Sequence, residues 1–150
     1  MALRGPSERV ASLAGVRETP RSQAHPDDDS SREFVFHAYR GVGPPRFANR
    51  IEFECAKILD FYGVPWEYEP HQFVLDRDHQ GRVTSAFTPD FYLPDQELYV
   101  EVTVMKQSLV TRKNRKLRQL RELYPDVKVK LFYRRDIERL AHRYQLKLAS

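Results

Sequence analysis

The periodicity of the apolar residues changes several times along this chain of 150 residues, and the order of the changes limits its possible folds. From about residue 46 to 62 the apolar side chains recur at helical spacing, and from 98 to 104 they alternate as in a β-strand. Between these segments, two short apolar runs over 72–75 and 83–87 flank a turn-rich stretch, the pattern of a β-hairpin. The chain therefore predicts helices and strands in alternation.

The last third of the chain continues this alternation. It predicts a helix over 108–124, a strand over 127–133 and a helix over 136–148. Such an order is typical of an α/β domain with a central mixed β-sheet flanked by helices. The length and the 41% hydrophobic content allow one modest core, so we expect one domain over 32–150, opening with a short strand over 33–39. Residues 1–31 lack a sustained apolar period and predict a disordered tail.

The cysteine content and the hydropathy exclude several classes of protein. Cys55 is the only cysteine, so the chain has no internal disulfide, and no Cys/His cluster indicates zinc. There is no run of about 18 apolar residues and no apolar core of a signal peptide at the N-terminus. We therefore expect a cytoplasmic protein that does not enter a membrane.

The charge is distributed unevenly. Residues 106–150 contain 14 Lys and Arg against 4 Asp and Glu, whereas residues 1–105 contain 11 against 17. A basic third suggests a bound polyanion, and a solvated lysine-rich helix face explains the same charges equally well. The candidates for contacts with nucleic-acid phosphates are Arg112, Arg115, Lys116, Arg118 and Arg121.

Two carboxylates carry the candidate chemistry. Asp90 follows Pro89 at the start of a strand, and Glu101 lies in the middle of the next strand, after the turn P94-D-Q-E97. Strands joined by such a turn lie side by side, which brings both carboxylates within reach of one cation. Hard oxygen ligands select Mg²⁺ or Mn²⁺, and a metal held by two carboxylates is typical of phosphodiester hydrolysis.

The helix over 46–62 adds two further acidic candidates. On a helical wheel Glu52 lies at one border of the apolar stripe and Glu54 lies at the other. Either side chain can therefore face a site at the edge of the core.

Four segments together resemble the PD-(D/E)xK nuclease superfamily: F47-A-N-R-I-E-F-E-C-A-K-I-L-D-F-Y-G-V64, Y68-E-P70, F87-T-P-D-F-Y-L93 and Y99-V-E-V-T103. The pattern is most similar to small prokaryotic nucleases such as the endonuclease subunit of heteromeric transposases and phage-type junction resolvases. The resemblance covers about residues 46–133. It implies a restriction-endonuclease-like core, DNA rather than RNA as the substrate, and a homodimer or a transposase or repair protein as the partner.

The resemblance also implies a site. A Mg²⁺ or Mn²⁺ ion would be held by Asp90, Glu101 and the backbone carbonyl of Val102, and Glu52 would assist. The family's spacing of a glutamate before A-x-x-L-x-x-x-G selects Glu52 rather than Glu54.

The chain departs from the family at Thr103, where a lysine is expected. A hydroxyl cannot supply that positive charge. In the helix over 108–124, however, Lys113 lies in the middle of the apolar stripe formed by Leu109, Leu117, Leu120 and Tyr124. A lysine in that position needs a partner, and some members of the superfamily carry the active-site lysine on this neighbouring helix.

Two interpretations of Lys113 follow. In the first it replaces the missing lysine and reaches the carboxylates, with Lys116 and Lys106 as reserve candidates. In the second it extends along the stripe to water, as long amines readily do. The first predicts a metal-dependent endonuclease, and the second favours a catalytically inactive nucleic-acid-binding module that acts with a partner.

Overall fold

The structure, a computed structural model, describes residues 34–104 and 107–149. The predicted tail over 1–31 and the reserve candidate Lys106 lie outside the described residues. The helices are α1 (Arg50–Phe61), α2 (Gln107–Leu123) and α3 (Arg134–Ala149). The strands are β1 (Glu67–Tyr68), β2 (Phe73–Arg77), β3 (Val83–Phe87), β4 (Phe91–Leu93), β5 (Leu98–Val102) and β6 (Val129–Phe132).

The prediction of a mixed sheet flanked by helices is confirmed. Four strands form one sheet in the order β1-β4-β5-β6, in which β5 pairs with β4 in the antiparallel sense and with β6 in the parallel sense. The predicted hairpin is also present, as a separate antiparallel pair of β2 and β3. The chain thus forms a mixed α/β fold.

The two faces of the four-stranded sheet are covered by different elements. One face packs against α1 and α3, and its buried residues include Cys55, Leu59, Val100, Val102, Ile137 and Ala141. The other face packs against α2 and the hairpin, through Phe73, Phe87, Leu117, Leu120 and Val129, with Tyr99 packed against them. Because β5 is covered on both sides, its polar residue Glu101 is buried along with its apolar neighbours.

Helix α1 begins later than the apolar period alone predicts. Asn49 has an extended backbone and its side chain accepts a hydrogen bond from the backbone N–H of Glu52, so it caps the helix before Arg50. At the other end, Gly63 has a φ of 72° and follows the C-cap residue Tyr62. The N-cap fixes Glu52 in the first turn of the helix.

The strand predicted over 33–39 is wrong in its described part. Only an isolated bridge joins Tyr39 to Trp66. The backbone N–H groups of His37 and Ala38 instead donate to the carboxylate of Asp60 in α1. Among the described residues, backbone hydrogen bonds join this segment to Trp66 only, and two of its N–H groups bond to a side chain, so it does not extend the sheet.

Strand β5 is shorter than the alternation predicts. It ends at Val102, and Val104 is 42% exposed rather than on the buried apolar face. In the described part of the chain, no helix is long and apolar enough to cross a membrane.

Candidate functional site

The register of the β4–β5 hairpin places the two predicted carboxylates together. Phe91 pairs with Val100, so the next pair along the ladder is Asp90 and Glu101. The backbone N–H of Asp90 donates to Oε1 of Glu101 at 3.2 Å, and Oδ2 of Asp90 accepts from the backbone N–H of Val102 at 2.8 Å. Both side chains are almost fully buried. The hairpin therefore holds Asp90 and Glu101 as a fixed, buried carboxylate pair.

Lys113 joins this pair from α2. Its Nζ lies 3.1 Å from Oε2 of Glu101 and donates a hydrogen bond of 2.7 Å to the backbone carbonyl of Val102. Leu117 and Leu120, on the same helix face, are fully buried, so packing of that face directs Lys113 toward the sheet. This geometry matches the first interpretation of Lys113, in which the side chain reaches the carboxylates. It does not match the second, in which the side chain extends along the stripe to water.

Thr103 does not contribute a charge or a donor toward the pair. Its side chain is buried, and its hydroxyl donates to the carbonyl of Val104 at 3.3 Å. The backbone N–H of Thr103 donates to the carbonyl of Phe132. The position where the family has lysine is thus occupied by a hydroxyl that bonds to its own chain.

The reserve candidate Lys116 lies one turn further along α2. Its Nζ is 3.5 Å from the carbonyl of Ala86 in β3, at the limit of a hydrogen bond. Burial is the main cause that lowers the pKa of Lys116; Arg112 also lowers it, and the charge of Glu101 opposes both. The charge of Glu101 therefore affects the pKa of Lys116, whereas the ammonium group itself lies against Ala86 in the β2–β3 hairpin.

Glu52 is held by hydrogen bonds from three residues near the start of α1 and in β1. Its Oε1 accepts from the Tyr68 hydroxyl at 2.6 Å and from the backbone N–H of Ala48 at 3.3 Å, and its Oε2 accepts from Nδ2 of Asn49 at 3.2 Å. The carboxylate also lies in the first turn of α1, where the helix dipole favours negative charge. Glu52 is buried and firmly held.

Tyr68 was not assigned a role from the sequence, although it opens the Y68-E-P70 motif. Burial raises its pKa well above 10.0, and the charges of Glu52, Glu69 and Asp90 raise it further. The Tyr68 phenol therefore lies in the combined field of the helix glutamate and the hairpin aspartate. In the sequence, the position of Tyr68 directly before the glutamate of Y68-E-P70 is the one feature that marks it as a candidate.

Glu54, the alternative to Glu52, has a different environment. It forms ion pairs with Arg50 at 3.4 Å and with Arg134 at 3.2 Å. These contacts connect α1 to the start of α3 at the surface. Glu52, by contrast, is buried and bonded to Tyr68.

The residues around Glu101 are suited to a hard cation, with one restriction. Two carboxylates and a backbone carbonyl are the oxygen donors that Mg²⁺ and Mn²⁺ prefer. Within residues 34–104 and 107–149, no group of three His, Cys, Asp or Glu side chains that could hold a metal ion is found. Two of the three expected oxygens, those of Glu101 and Val102, contact the Lys113 ammonium group.

The five basic residues proposed for phosphate contacts have three different environments. Arg112, Arg115 and Arg118 are exposed on α2. Arg121 donates to the carbonyl of Val129 at 2.8 Å, so its guanidinium group connects α2 to β6. Lys116, described above, is half-buried. Arg121 is exposed as well, but its guanidinium group is already bonded to the sheet.

Comparison with models of protein families, with curated proteins and with solved structures found no match to this chain.

Proposed function

We propose that this chain is a metal-dependent endonuclease with a restriction-endonuclease-like core that hydrolyses phosphodiester bonds of DNA in the cytoplasm. The observation that carries the proposal is the contact of Lys113 with Glu101, at 3.1 Å. It supplies an ammonium group beside the carboxylate pair, which the residue at Thr103 cannot do.

Each residue then has a defined task. Asp90, Glu101 and the Val102 carbonyl would hold a Mg²⁺ or Mn²⁺ ion, and such an ion would supply an activated water and neutralise charge on the phosphate. Lys113 provides positive charge beside the scissile phosphate and positions it against the carboxylates. Glu52, which accepts a hydrogen bond from the Tyr68 hydroxyl, would assist from α1. Arg112, Arg115 and Arg118 contact backbone phosphates without reading the bases.

One observation favours a second candidate, a catalytically inactive nucleic-acid-binding module that acts with a transposase or repair partner. The Lys113 ammonium group is 2.7 Å from the Val102 carbonyl, an oxygen that the metal needs. If that contact is permanent, the lysine occupies the position of the metal and the chain does not cleave DNA. Binding of nucleic acid by the basic helix α2 then remains as its function.

The test is a cleavage assay on linear, nicked, single-stranded and four-way branched DNA with RNA equivalents, in Mg²⁺ and in Mn²⁺. Wild type is compared with Asp90→Ala, Lys113→Met and Glu54→Gln. Glu54 is the matched control, because it is an ion-paired glutamate on α1 that lies outside the carboxylate pair. We expect loss of cutting in the first two variants and wild-type cutting in the third.

A relocation experiment sharpens the test. Thr103 follows Glu101 by two residues, the distance of the family's lysine. The double variant Thr103→Lys with Lys113→Met should regain cutting if a positive charge beside Glu101 is what Lys113 supplies. Binding of DNA without cutting by every variant and by wild type, in both metals, would instead establish the binding module.

A further inference from the structure

The contacts of Lys113 define a small site, here named the ammonium seat, which consists of Oε2 of Glu101 and the carbonyl oxygen of Val102. Nζ lies 3.1 Å from the first oxygen and 2.7 Å from the second. Asp90 stabilises both members, since its N–H donates to Glu101 and its carboxylate accepts from the Val102 N–H. The ammonium seat is thus a pair of oxygens that Asp90 holds in place and that the Lys113 ammonium group occupies.

A divalent metal and an ammonium group compete when both bind the same pair of oxygens. Mg²⁺ requires its ligands at about 2.1 Å. An ion on the Val102 carbonyl oxygen would therefore lie within about 5 Å of Nζ, which is 2.7 Å from that oxygen. The two positive charges also repel each other strongly in a buried site. Binding of one cation therefore opposes binding of the other.

Lys113 is built so that it can leave. Its side chain is 26% exposed, whereas that of Glu101 is 5% exposed, so the amine has a path toward solvent and the carboxylate does not. The lysine stem is flexible and rotates without disturbing the helix. Leu117 and Leu120 anchor α2 independently of it.

We infer that Lys113 is an internal competitor for the metal position: its ammonium group holds the ammonium seat until a divalent cation displaces it. This inference rests on the proposed function and adds a regulation to the same site. In the resting protein the Glu101 carboxylate is paired with the Lys113 ammonium group. The apparent metal affinity equals the intrinsic affinity multiplied by the fraction of molecules in which Lys113 has left the seat.

The experiment measures Mn²⁺ binding to the full chain by electron paramagnetic resonance at a fixed pH, without DNA. Wild type is compared with Lys113→Met and with Lys116→Met. Lys116 is the matched control because it lies on the same helix and in the field of Glu101, but its ammonium points to Ala86. Both variants remove one positive charge near the site, and only Lys113→Met vacates the seat.

We expect Lys113→Met to bind Mn²⁺ about tenfold or more tightly than wild type, and Lys116→Met to change the affinity by about threefold or less. Equal tightening in both variants would show a general charge effect and overturn the inference, while leaving the endonuclease proposal in place. Binding by Lys113→Met with none by wild type would support the inference and overturn metal-dependent cleavage by the natural chain. Failure of all three proteins to bind would overturn both proposals.

A second measurement needs no substitution. In wild type with isotope-labelled lysines, titration with diamagnetic Mg²⁺ should shift the ε-carbon resonance of Lys113 toward the position of a solvated lysine. The resonance of Lys116 should move less. An unchanged Lys113 resonance at saturating Mg²⁺ would show that the metal does not displace it.

Discussion

Lys113 and Glu101 lie on different elements, α2 and β5, and their side chains meet at 3.1 Å in a largely buried position. We expect Lys113→Met to lower the free energy of unfolding by about 1–3 kcal/mol in the absence of metal, because it leaves the Glu101 carboxylate without its cation. Urea denaturation of Lys113→Met, Glu101→Gln and the double variant measures the coupling. The double variant should lose about 1 kcal/mol less than the sum of the single losses. Additive losses would mean that the pair does not interact in solution.

Tyr68 should matter through its hydroxyl group. Tyr68→Phe leaves one oxygen of the buried Glu52 without its 2.6 Å donor, so we expect a loss of about 1–3 kcal/mol in the free energy of unfolding. Tyr92→Phe is the control, since no hydrogen bond of the Tyr92 hydroxyl occurs among the residues that the structure describes. An equal effect in both variants would contradict a specific role for the Glu52 contact.

The stability should also depend on pH through Tyr68. Its pKa in the folded protein is raised above 10.0, first by burial and then by the nearby carboxylates, so the folded state keeps a proton that the unfolded state releases. The contribution of Tyr68 is therefore complete below about pH 10 and is lost as the pH rises above that value. Urea denaturation from pH 8 to 11 should show a shallower alkaline loss in Tyr68→Phe than in wild type. Parallel curves would argue against the raised pKa.

Cys55 is expected to be unreactive in the folded protein. Its side chain is fully buried, and burial, followed by the charge of Asp90, raises its pKa to about 12. At pH 8 the thiol should react with a disulfide reagent only when the protein unfolds. The labelling rate of the native protein should therefore be at least about a hundredfold lower than the rate in urea. Because Cys55 is the only cysteine, the measurement needs no other substitution. Rapid labelling of the native protein would place Cys55 outside the core.

The exposed arginines of α2 should determine the salt dependence of DNA binding. Each phosphate contact that is lost in Arg112→Ala, Arg115→Ala or Arg118→Ala should reduce the slope of log affinity against log salt by about 0.9. Arg143→Ala is the control, because Arg143 is equally exposed but lies on α3, which covers the opposite face of the sheet. Fluorescence anisotropy at several salt concentrations gives the slopes. A slope that changes only in Arg143→Ala would place the nucleic acid on the other side.

The expected consequence for Arg121 is different. Because its guanidinium group donates to the Val129 carbonyl, its removal should affect the packing of α2 on β6 more than the binding of phosphate. The sequence alone grouped Arg121 with the other arginines, since helical spacing shows which side chains lie near a border but not which carbonyl lies opposite.

The sequence by itself determined the features that depend on short stretches of chain. The apolar period gave α1, α2 and α3, and the turn between β4 and β5 set the register that places Asp90 beside Glu101. It also placed Lys113 on the buried stripe of α2, because 100° per residue is a local property. These features require no knowledge of how the elements pack.

The tertiary structure decided which partners these residues have. Lys113 meets Glu101 because Leu117 and Leu120 pack α2 against the hairpin and the sheet, and no periodicity in the sequence encodes that docking. The bond between Glu52 and Tyr68 joins residues 16 positions apart on a helix and a strand. Local periodicity chooses the face that a side chain occupies, but the packing of distant elements chooses the atom that it touches.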